Sequence, residues 1–199
     1  MISQMAESLF HTKKIVCRLY DPEKECIYRG TGIETICPAV LSAREIEKLL
    51  GKEKAMDAER SKDEKQWILL AGGFHKVKSL ALSLIRKGYK VTVINKNYAD
   101  CHSLAEIQAM EVIYGDASKP YVLEEAGADR MDIAIALTQN DEDNLVICEL
   151  CKKRFGTAKT VALVNDPKKT EFFYNMGIDS VVCAINVVAG IIEQQAFMD

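Results

Sequence analysis

The sequence lacks the features that would place the chain in a membrane, outside the cell or on nucleic acid. No apolar run reaches the ~18–20 residues that a membrane-spanning helix needs. The N-terminus has no basic segment followed by an apolar one, the pattern of a signal peptide. The formal net charge of −3 gives no basic excess for nucleic acid. Seven cysteines, an odd number without the spacing of a disulfide framework, favour a reducing cytosol.

Groups with catalytic chemistry are also scarce. Three histidines fall at a predicted helix end, in a glycine turn and on a helix face, without a nucleophile or acid arranged around them: His11, His75 and His102. Cys148 and Cys151 form a CxxC inside a helical pattern, but the second ligand pair of a zinc site is missing. The acidic run 141–143 most simply enriches a helix N-terminus in negative charge, with a metal site as the alternative. We therefore expect a protein that is not an enzyme.

What the sequence does contain is an internal repeat. Residues 2–40 and 147–185 align without a gap at a constant offset of 145 residues. Identical pairs include Phe10/Phe155, Val16/Val161, Asp21/Asp166, Pro22/Pro167, Gly32/Gly177 and Ala39/Ala184. Strand–helix units from about residue 66 precede the second copy, and no such units precede the first. The sequence thus predicts one complete α/β domain with the C-terminal part of a second copy in front of it.

The complete domain is expected over residues 66–199, where six short apolar runs alternate with helical patterns. The predicted strands are 67–73, 90–97, 111–116, 132–138, 159–166 and 179–184. Buried strands separated by helices are typical of parallel βαβ units, so the fold class is α/β with a doubly wound, Rossmann-like, six-stranded sheet.

The partial copy is expected over residues 1–50, and the charged stretch 51–65 reads as a linker. The patterns predict a helix at 2–10, strands at 14–20 and 34–37, a helix from Pro22 and a helix at 41–50. Two strands do not make a stable sheet alone. We therefore expect residues 1–50 to be ordered only by packing against the complete domain or a second chain. We also expect association through the helix faces of 144–155 and 185–197.

The first turn of the complete domain tests for nucleotide binding. A phosphate-binding turn reads G-x-G-x-x-G, and the three glycine positions here are Gly72, Phe74 and Val77, with Gly73 and His75 between the first and the last. Phe74 would place a ring where backbone and phosphate should touch, and Val77 would crowd the contact of helix and strand. A turn without any ligand is equally compatible with these residues.

Other candidate residues follow the neighbouring strands. Right-handed crossovers place a crevice at the carboxyl ends of the domain's first and fourth strands. Asn95 stands where an acidic residue commonly binds the ribose, and it can hydrogen-bond a hydroxyl only without charge assistance. Lys96 follows it, Gly115 and Asp116 follow the third strand, and Thr138 follows the fourth.

These segments resemble a known family. Residues 66–199 resemble the TrkA N-terminal domain, also called the RCK (regulator of potassium conductance) domain, through the stretches ILLAGG, VTVINKN, VIYGDAS, DIAIALTQNDEDNL and LVNDPKKTEFFYNMGID. Residues 1–50 resemble the last third of such a domain through RLYDPEKECIYRGTGIETICPAVL. The family comprises cytosolic regulators of bacterial potassium channels and transporters.

The resemblance implies a regulatory subunit in the cytoplasm, peripheral at the inner face of the plasma membrane. It implies a homo- or hetero-oligomeric ring of RCK-type domains that binds NAD(H) or an adenine nucleotide (ATP, ADP or AMP). It further implies that the ring transmits the ligand state to the membrane subunit of a potassium channel or transporter. Carried over by position, it implies a binding site made of Gly72, Gly73, Phe74 and His75 (phosphate turn), Asn95 and Lys96 (ribose), Asp116 and Ala117 (adenine) and Thr138 (phosphates).

Departures from the family pattern imply weakened affinity and leave two other functions open. Two glycines and the ribose acid are missing, and Leu163 stands where the first copy has Arg18, a position that the family often uses to bind phosphate. One alternative is a structural ring subunit that binds no ligand and pairs with a nucleotide-competent sister. The other is a Rossmann oxidoreductase, which would need an acid–base group near a nicotinamide and a substrate domain.

Overall fold

The structure is a computed structural model that describes residues 2–12, 14–54 and 66–197. The first part of the chain folds into α1 (Ile2–Phe10), β1 (Ile15–Arg18), a 3₁₀ helix (Pro22–Tyr28), β2 (Ile33–Ile36) and α2 (Pro38–Lys54). Helix α2 continues past residue 50, so the predicted linker 51–65 begins as helix, and residues 55–65 lie outside the described residues.

The second part of the chain alternates strands and helices. In chain order the elements are β3 (Trp67–Gly72), α3 (Phe74–Arg86), β4 (Lys90–Asn95), α4 (Tyr98–Ala105), β5 (Met110–Tyr114), α5 (Pro120–Glu125), a 3₁₀ turn (Ala128–Arg130), β6 (Ile133–Leu137), α6 (Asp141–Lys153), β7 (Lys159–Val164), a 3₁₀ turn (Pro167–Lys169), α7 (Thr170–Asn175), β8 (Ser180–Cys183) and α8 (Ala184–Phe197). No helix in the described residues is long and apolar enough to cross a membrane.

Strands β3 to β8 form one parallel sheet in the order β5-β4-β3-β6-β7-β8. The register is continuous through the centre, where Ala71 pairs with both Ile94 and Ala136. Each face of the sheet carries a buried apolar cluster, which explains why β3 and β6 are apolar at almost every position. The predicted doubly wound sheet is confirmed, and its strand order reverses between β3 and β6.

The partial copy forms a separate two-stranded sheet in which β1 pairs with β2 in parallel. Helix α2 leaves this sheet and packs on the complete domain against α3, α8 and β8. Ala43, Ile46 and Leu50 of α2 belong to the same buried cluster as the inner face of α3. Two ion pairs also join the two parts of the chain: Glu23 of the 3₁₀ helix with Lys78 at 2.6 Å, and Glu47 of α2 with Lys87. That this packing is what orders residues 1–50 stays a prediction.

Both copies begin their third element in the same way. Asp21 accepts a hydrogen bond from the Glu23 amide at 3.0 Å, and Asp166 accepts one from the Lys168 amide at 3.0 Å. A proline follows each aspartate at the first position of a 3₁₀ segment. Both segments thus begin with an aspartate cap and a proline. The helix predicted from Pro22 is 3₁₀ rather than α, whereas α7 follows the 3₁₀ turn in the second copy.

The cysteine-bearing stripe of α6 faces the interior of its own domain. Cys148 and Cys151 are fully buried, and Leu145 and Phe155 pack against the same cluster. The expectation that this stripe meets a partner is therefore wrong, because the stripe covers the sheet. Helix α8 does expose Ile185 and Ile192, so its proposed role in association stays a prediction.

Candidate functional site

The four turns named by the sequence lie along one edge of the sheet, at the carboxyl ends of its strands. In the order β5, β4, β3, β6, this edge carries Asp116, Asn95, Gly72 and Thr138. Helices α3 and α6 both begin there, one on each side of the point where the strand order reverses. Helix N-termini carry orphan amides and a partial positive charge, so the start of α3 is suited to an anionic ligand, whereas the start of α6 carries the acidic run 141–143.

The turn between β3 and α3 has a packing reason for its first glycine. A Cβ on Gly72 would lie 2.6 Å from both the carbonyl carbon and the oxygen of Leu137, because β3 and β6 approach closely at this point. Gly73 is the N-cap of α3 in an extended conformation, and a Cβ there would meet nothing within 4 Å. Gly72 is thus needed by the fold itself, whether or not a ligand binds.

Phe74 and Val77 stand where the phosphate-binding fingerprint has glycines. Val77 is fully buried in the cluster between α3 and the sheet, so its side chain fills the contact where the fingerprint has a glycine. Phe74 is partly buried, with its ring edge-on to the ring of His75 at 5.2 Å. The Lys78 ammonium lies 5.2 Å from the centre of the Phe74 ring. Both replacements therefore serve the packing of α3.

Asn95 ends β4 and carries an unsatisfied polar group. Its side chain is buried, and its Oδ1 accepts a hydrogen bond from the Asn97 amide at 2.8 Å. Its Nδ2 has no hydrogen-bond partner within the described part of the chain. A buried donor without an acceptor costs about 1–3 kcal/mol, so an oxygen that reached Nδ2 would be stabilising, although Nδ2 has almost no accessible surface in this structure. A ribose hydroxyl supplies such an oxygen.

Lys96, next to Asn95, reaches towards α6. Its ammonium is 4.0 Å from Oδ2 of Asp143 in the first turn of that helix. This pair links the ends of β4 and β6, although β3 lies between these strands. Sequence reasoning included Lys96 in the site but not Asp143.

The turn after β5 is held by Asp116. Its Oδ1 accepts hydrogen bonds from the Ser118 hydroxyl at 2.7 Å and the Ser118 amide at 2.9 Å. These bonds hold the pKa of Asp116 below its ordinary value. Ala117 is buried, and the Asp116 side chain is exposed. The turn is thus a hydrogen-bonded polar rim at the β5 end of the edge.

The hydroxyl of Thr138 is engaged within its own turn. It donates to the carbonyl of Asn140 at 3.0 Å and accepts from the amide of Asn140 at 3.2 Å. The Thr138 amide donates to Oδ1 of Asn144 at 2.8 Å. Thr138 therefore fixes the shape of the β6–α6 turn, and its hydroxyl donor is already used there.

Asp141, the first residue of α6, ties this helix to the end of β7. It accepts hydrogen bonds from the Asn165 amide at 2.8 Å and the Asp166 amide at 3.2 Å, and Lys169 lies 3.5 Å away. Burial alone would raise the pKa of Asp141, but the amide hydrogen bonds outweigh it and hold the pKa below its ordinary value. No cluster of three metal-binding side chains occurs in residues 2–12, 14–54 or 66–197.

Lys76 is a candidate that sequence reasoning missed. It lies in the first turn of α3 and is partly buried. Burial lowers the pKa of its ammonium, and the carboxylate of Asp141 acts in the opposite direction. The position of Lys76 could have marked it as a candidate, since the helix dipole disfavours a cation in the first turn of a helix. An anionic ligand at the same helix start would offset that cost.

The fold and the strand order define a doubly wound, Rossmann-like α/β domain. Residues 68–184 match the TrkA-N domain, and the chain belongs to that family. The resemblance noted in the sequence is thereby confirmed.

Named relatives and solved structures agree with this assignment. The chain is 34% identical over 129 residues to the Trk system potassium uptake protein TrkA homolog of Methanothermobacter thermautotrophicus, covering 64% of this chain and 59% of the relative. It matches the crystal structure of GsuK bound to ADP with a TM-score of 0.72 and 23% identity, over 91% of this chain and 44% of that one. The GsuK channel bound to NAD matches with a TM-score of 0.53 and 21% identity, over 72% and 27%. At these identities the structures show the fold alone.

Proposed function

We propose that this protein is a regulatory subunit of a potassium uptake or channel system, and that it responds to an adenine nucleotide or NAD(H) bound at the β3/β6 crevice. The observation that carries the proposal is the edge where the strand order reverses, with the start of α3 next to Asn95 at the end of β4. Relatives named for potassium uptake support the system, and solved structures of this fold with ADP and NAD support the ligand class. The partner would be the membrane subunit of that system, within an oligomer of RCK-type domains.

We assign the phosphate, ribose and adenine groups of the ligand to different residues at this edge. The first-turn amides of α3 would bind phosphate oxygens, with Lys76 supplying a positive charge nearby. The Asn95 amide would donate to a ribose hydroxyl, and the turn at Asp116 and Ala117 would border the adenine. Leu163 is fully buried in β7, so its position supplies no charge to the crevice. Each missing charge-assisted contact costs about 1.5–3 kcal/mol, so we expect micromolar or weaker affinity.

The experiment compares two isosteric substitutions by calorimetry with ATP, ADP, AMP, NAD and NADH. Asn95→Asp restores the acid that commonly binds ribose and replaces a neutral contact with a charge-assisted one. The gain of about 1.4 kcal/mol should tighten binding about tenfold. Asn97→Asp makes the same chemical change two residues away. Asn97 caps α4 by accepting from the Asp100 amide at 3.2 Å, and aspartate caps equally well.

Binding that tightens with Asn95→Asp and not with Asn97→Asp supports the site. Equal effects of the two variants would mean that the ligand does not contact residue 95. If no nucleotide binds the native chain or either variant, the structural ring subunit becomes the better interpretation. The engaged hydroxyl of Thr138 and the buried Leu163 already favour that second candidate.

A further inference from the structure

Strand β4 ends in a segment whose charge differs from the one that suits NAD. In folds of this type the second strand commonly ends in an aspartate or glutamate, whose carboxylate accepts hydrogen bonds from the ribose hydroxyls of NAD. Here residues 95–97 read Asn-Lys-Asn, so the end of the strand carries one positive charge and no carboxylate. The first acidic residue after them is Asp100, in the first turn of α4. The charge at this position is therefore the reverse of the usual one.

Asn95 does not take over the role of the missing acid. Its Oδ1 accepts a hydrogen bond from the Asn97 amide at 2.8 Å, so this oxygen is engaged by the backbone of its own turn. A neutral amide oxygen also makes a weaker contact with a hydroxyl than a carboxylate does. A ribose 2′-hydroxyl would thus find no charged acceptor at the end of β4.

The Lys96 ammonium, by contrast, is accessible to a ligand. Its side chain is 67% exposed, and the 4.0 Å to Oδ2 of Asp143 exceeds the ~2.7–2.9 Å of a charge-assisted hydrogen bond. Exposed ion pairs of this kind contribute little free energy. Lys169, at the end of β7, differs because its ammonium hydrogen-bonds Glu142 at 2.7 Å. Lys96 can therefore bind an anion without breaking a strong contact.

Two carboxylates on neighbouring elements act on Lys96, and both have other donors. Oδ2 of Asp143 accepts a hydrogen bond from Nδ2 of Asn140 at 3.2 Å. The hydrogen bonds from Ser118 hold the pKa of Asp116 below its ordinary value against the effect of burial, and Lys96 adds to their effect. Neither carboxylate thus depends on Lys96 as its sole donor.

The start of α4 lies next to Lys96 in the chain and favours an anion for a second reason. Asn97 is the N-cap, and its side chain accepts a hydrogen bond from the Asp100 amide at 3.2 Å. The amides of Tyr98 and Ala99 precede that bond and have no acceptor within the helix. They add a partial positive charge beside the lysine.

We infer that the nucleotide at this edge carries a phosphate on the 2′-oxygen of its adenine-side ribose, as NADP(H) does, and that Lys96 and the first amides of α4 bind this phosphate. The inference rests on the proposed nucleotide site and narrows its ligand class. It also accounts for the missing acid, because a carboxylate at residue 95 would repel a 2′-phosphate.

Three nucleotides separate the position of the added phosphate from its charge. Adenosine 2′,5′-bisphosphate should bind the 199-residue chain about tenfold or more tightly than AMP, since it adds one charge-assisted contact. Adenosine 3′,5′-bisphosphate carries the same charge on the neighbouring oxygen and should gain less than about threefold. Calorimetry at one ionic strength measures all three affinities. NADPH and NADH repeat the comparison with the dinucleotide.

Three variants test the assigned residues. Lys96→Met should lower the affinity for the 2′,5′-bisphosphate about tenfold more than the affinity for AMP. Lys119→Met is the matched control, because it removes another exposed lysine that acts on Asp116, and it should lower both affinities by the same factor. Asn95→Asp should reverse the preference, so that AMP binds more tightly than the 2′,5′-bisphosphate.

The outcomes distinguish this inference from the proposed function. Equal binding of AMP and the 2′,5′-bisphosphate, or a preference for AMP, would overturn the inference and leave the proposed nucleotide site in place. Equal gains from the 2′- and 3′-phosphates, or equal effects of Lys96→Met and Lys119→Met, would also overturn it, because they would reveal a general attraction of charge. No binding of any nucleotide would overturn both.

Discussion

The paired glycines at the start of α3 allow the demands of the fold to be separated from those of a ligand. Gly72→Ala would place a Cβ 2.6 Å from two backbone atoms of Leu137 and 2.8 Å from its Cβ. Carbon atoms in contact normally lie about 3.5–4.0 Å apart, so β3 and β6 would have to separate by about 1 Å. The clashing atoms of Leu137 include backbone in the middle of a sheet, which cannot move aside as a flexible side chain can. We expect a loss of about 1–3 kcal/mol, in the range of overpacked cores.

Gly73→Ala is the matched control, because its Cβ would meet no atom within 4 Å. Gly73 has an extended backbone that alanine adopts freely. Alanine is the weaker N-cap, which costs several tenths of a kcal/mol. It also restricts the unfolded chain, which returns about 0.4–1 kcal/mol. The two effects nearly cancel, so the control should melt within about 2 °C of the native protein.

Thermal and urea unfolding of both variants provide the measurement. At about 2–4 °C per kcal/mol, Gly72→Ala should melt roughly 2–12 °C lower than the native protein, and its urea midpoint should fall with an unchanged slope. Equal stability of the two variants would refute the reasoning, since it would show that β3 and β6 tolerate a side chain at their closest approach.

Three further predictions concern charged and reactive groups. Lys76→Met should weaken nucleotide binding about tenfold or more by calorimetry through loss of one charge-assisted contact, and unchanged affinity would exclude Lys76 from the site. Asp141→Ala should lower stability at pH 7 by about 2–4 kcal/mol, because two backbone amides lose a charged acceptor. The pKa of Asp141 is held below its ordinary value of 3.8, so the stability difference between the native protein and the variant should persist at pH 5 and narrow only below pH 3.8. A stability difference that vanished by pH 5 would contradict this prediction. Burial raises the pKa of Cys151 to about 12 and that of Cys148 further. Both thiols should therefore react more slowly with a thiol reagent at pH 8 than the exposed Cys26 does. Mass spectrometry of labelled peptides would measure the three rates.

The sequence alone determined the elements and their order. Short apolar runs between helical patterns located all six strands of the complete domain, because buried parallel strands are apolar on both faces. The direction of βαβ crossovers then fixed the edge where Gly72, Asn95 and Thr138 meet. The 145-residue repeat aligned Asp21-Pro22 with Asp166-Pro167, which fold alike because an aspartate cap and a proline act within a few residues of chain.

Only the tertiary structure showed which of these residues are engaged in packing or hydrogen bonds and which are left without a partner. It showed that Gly72 is fixed by the backbone of Leu137 and that Val77 belongs to the core. It left Nδ2 of Asn95 without a partner in the described residues, and it buried Val161 while exposing Val16. These facts depend on contacts between segments that are far apart in the chain. A local sequence pattern indicates which side chains favour burial. Which segments bury them depends on tertiary packing.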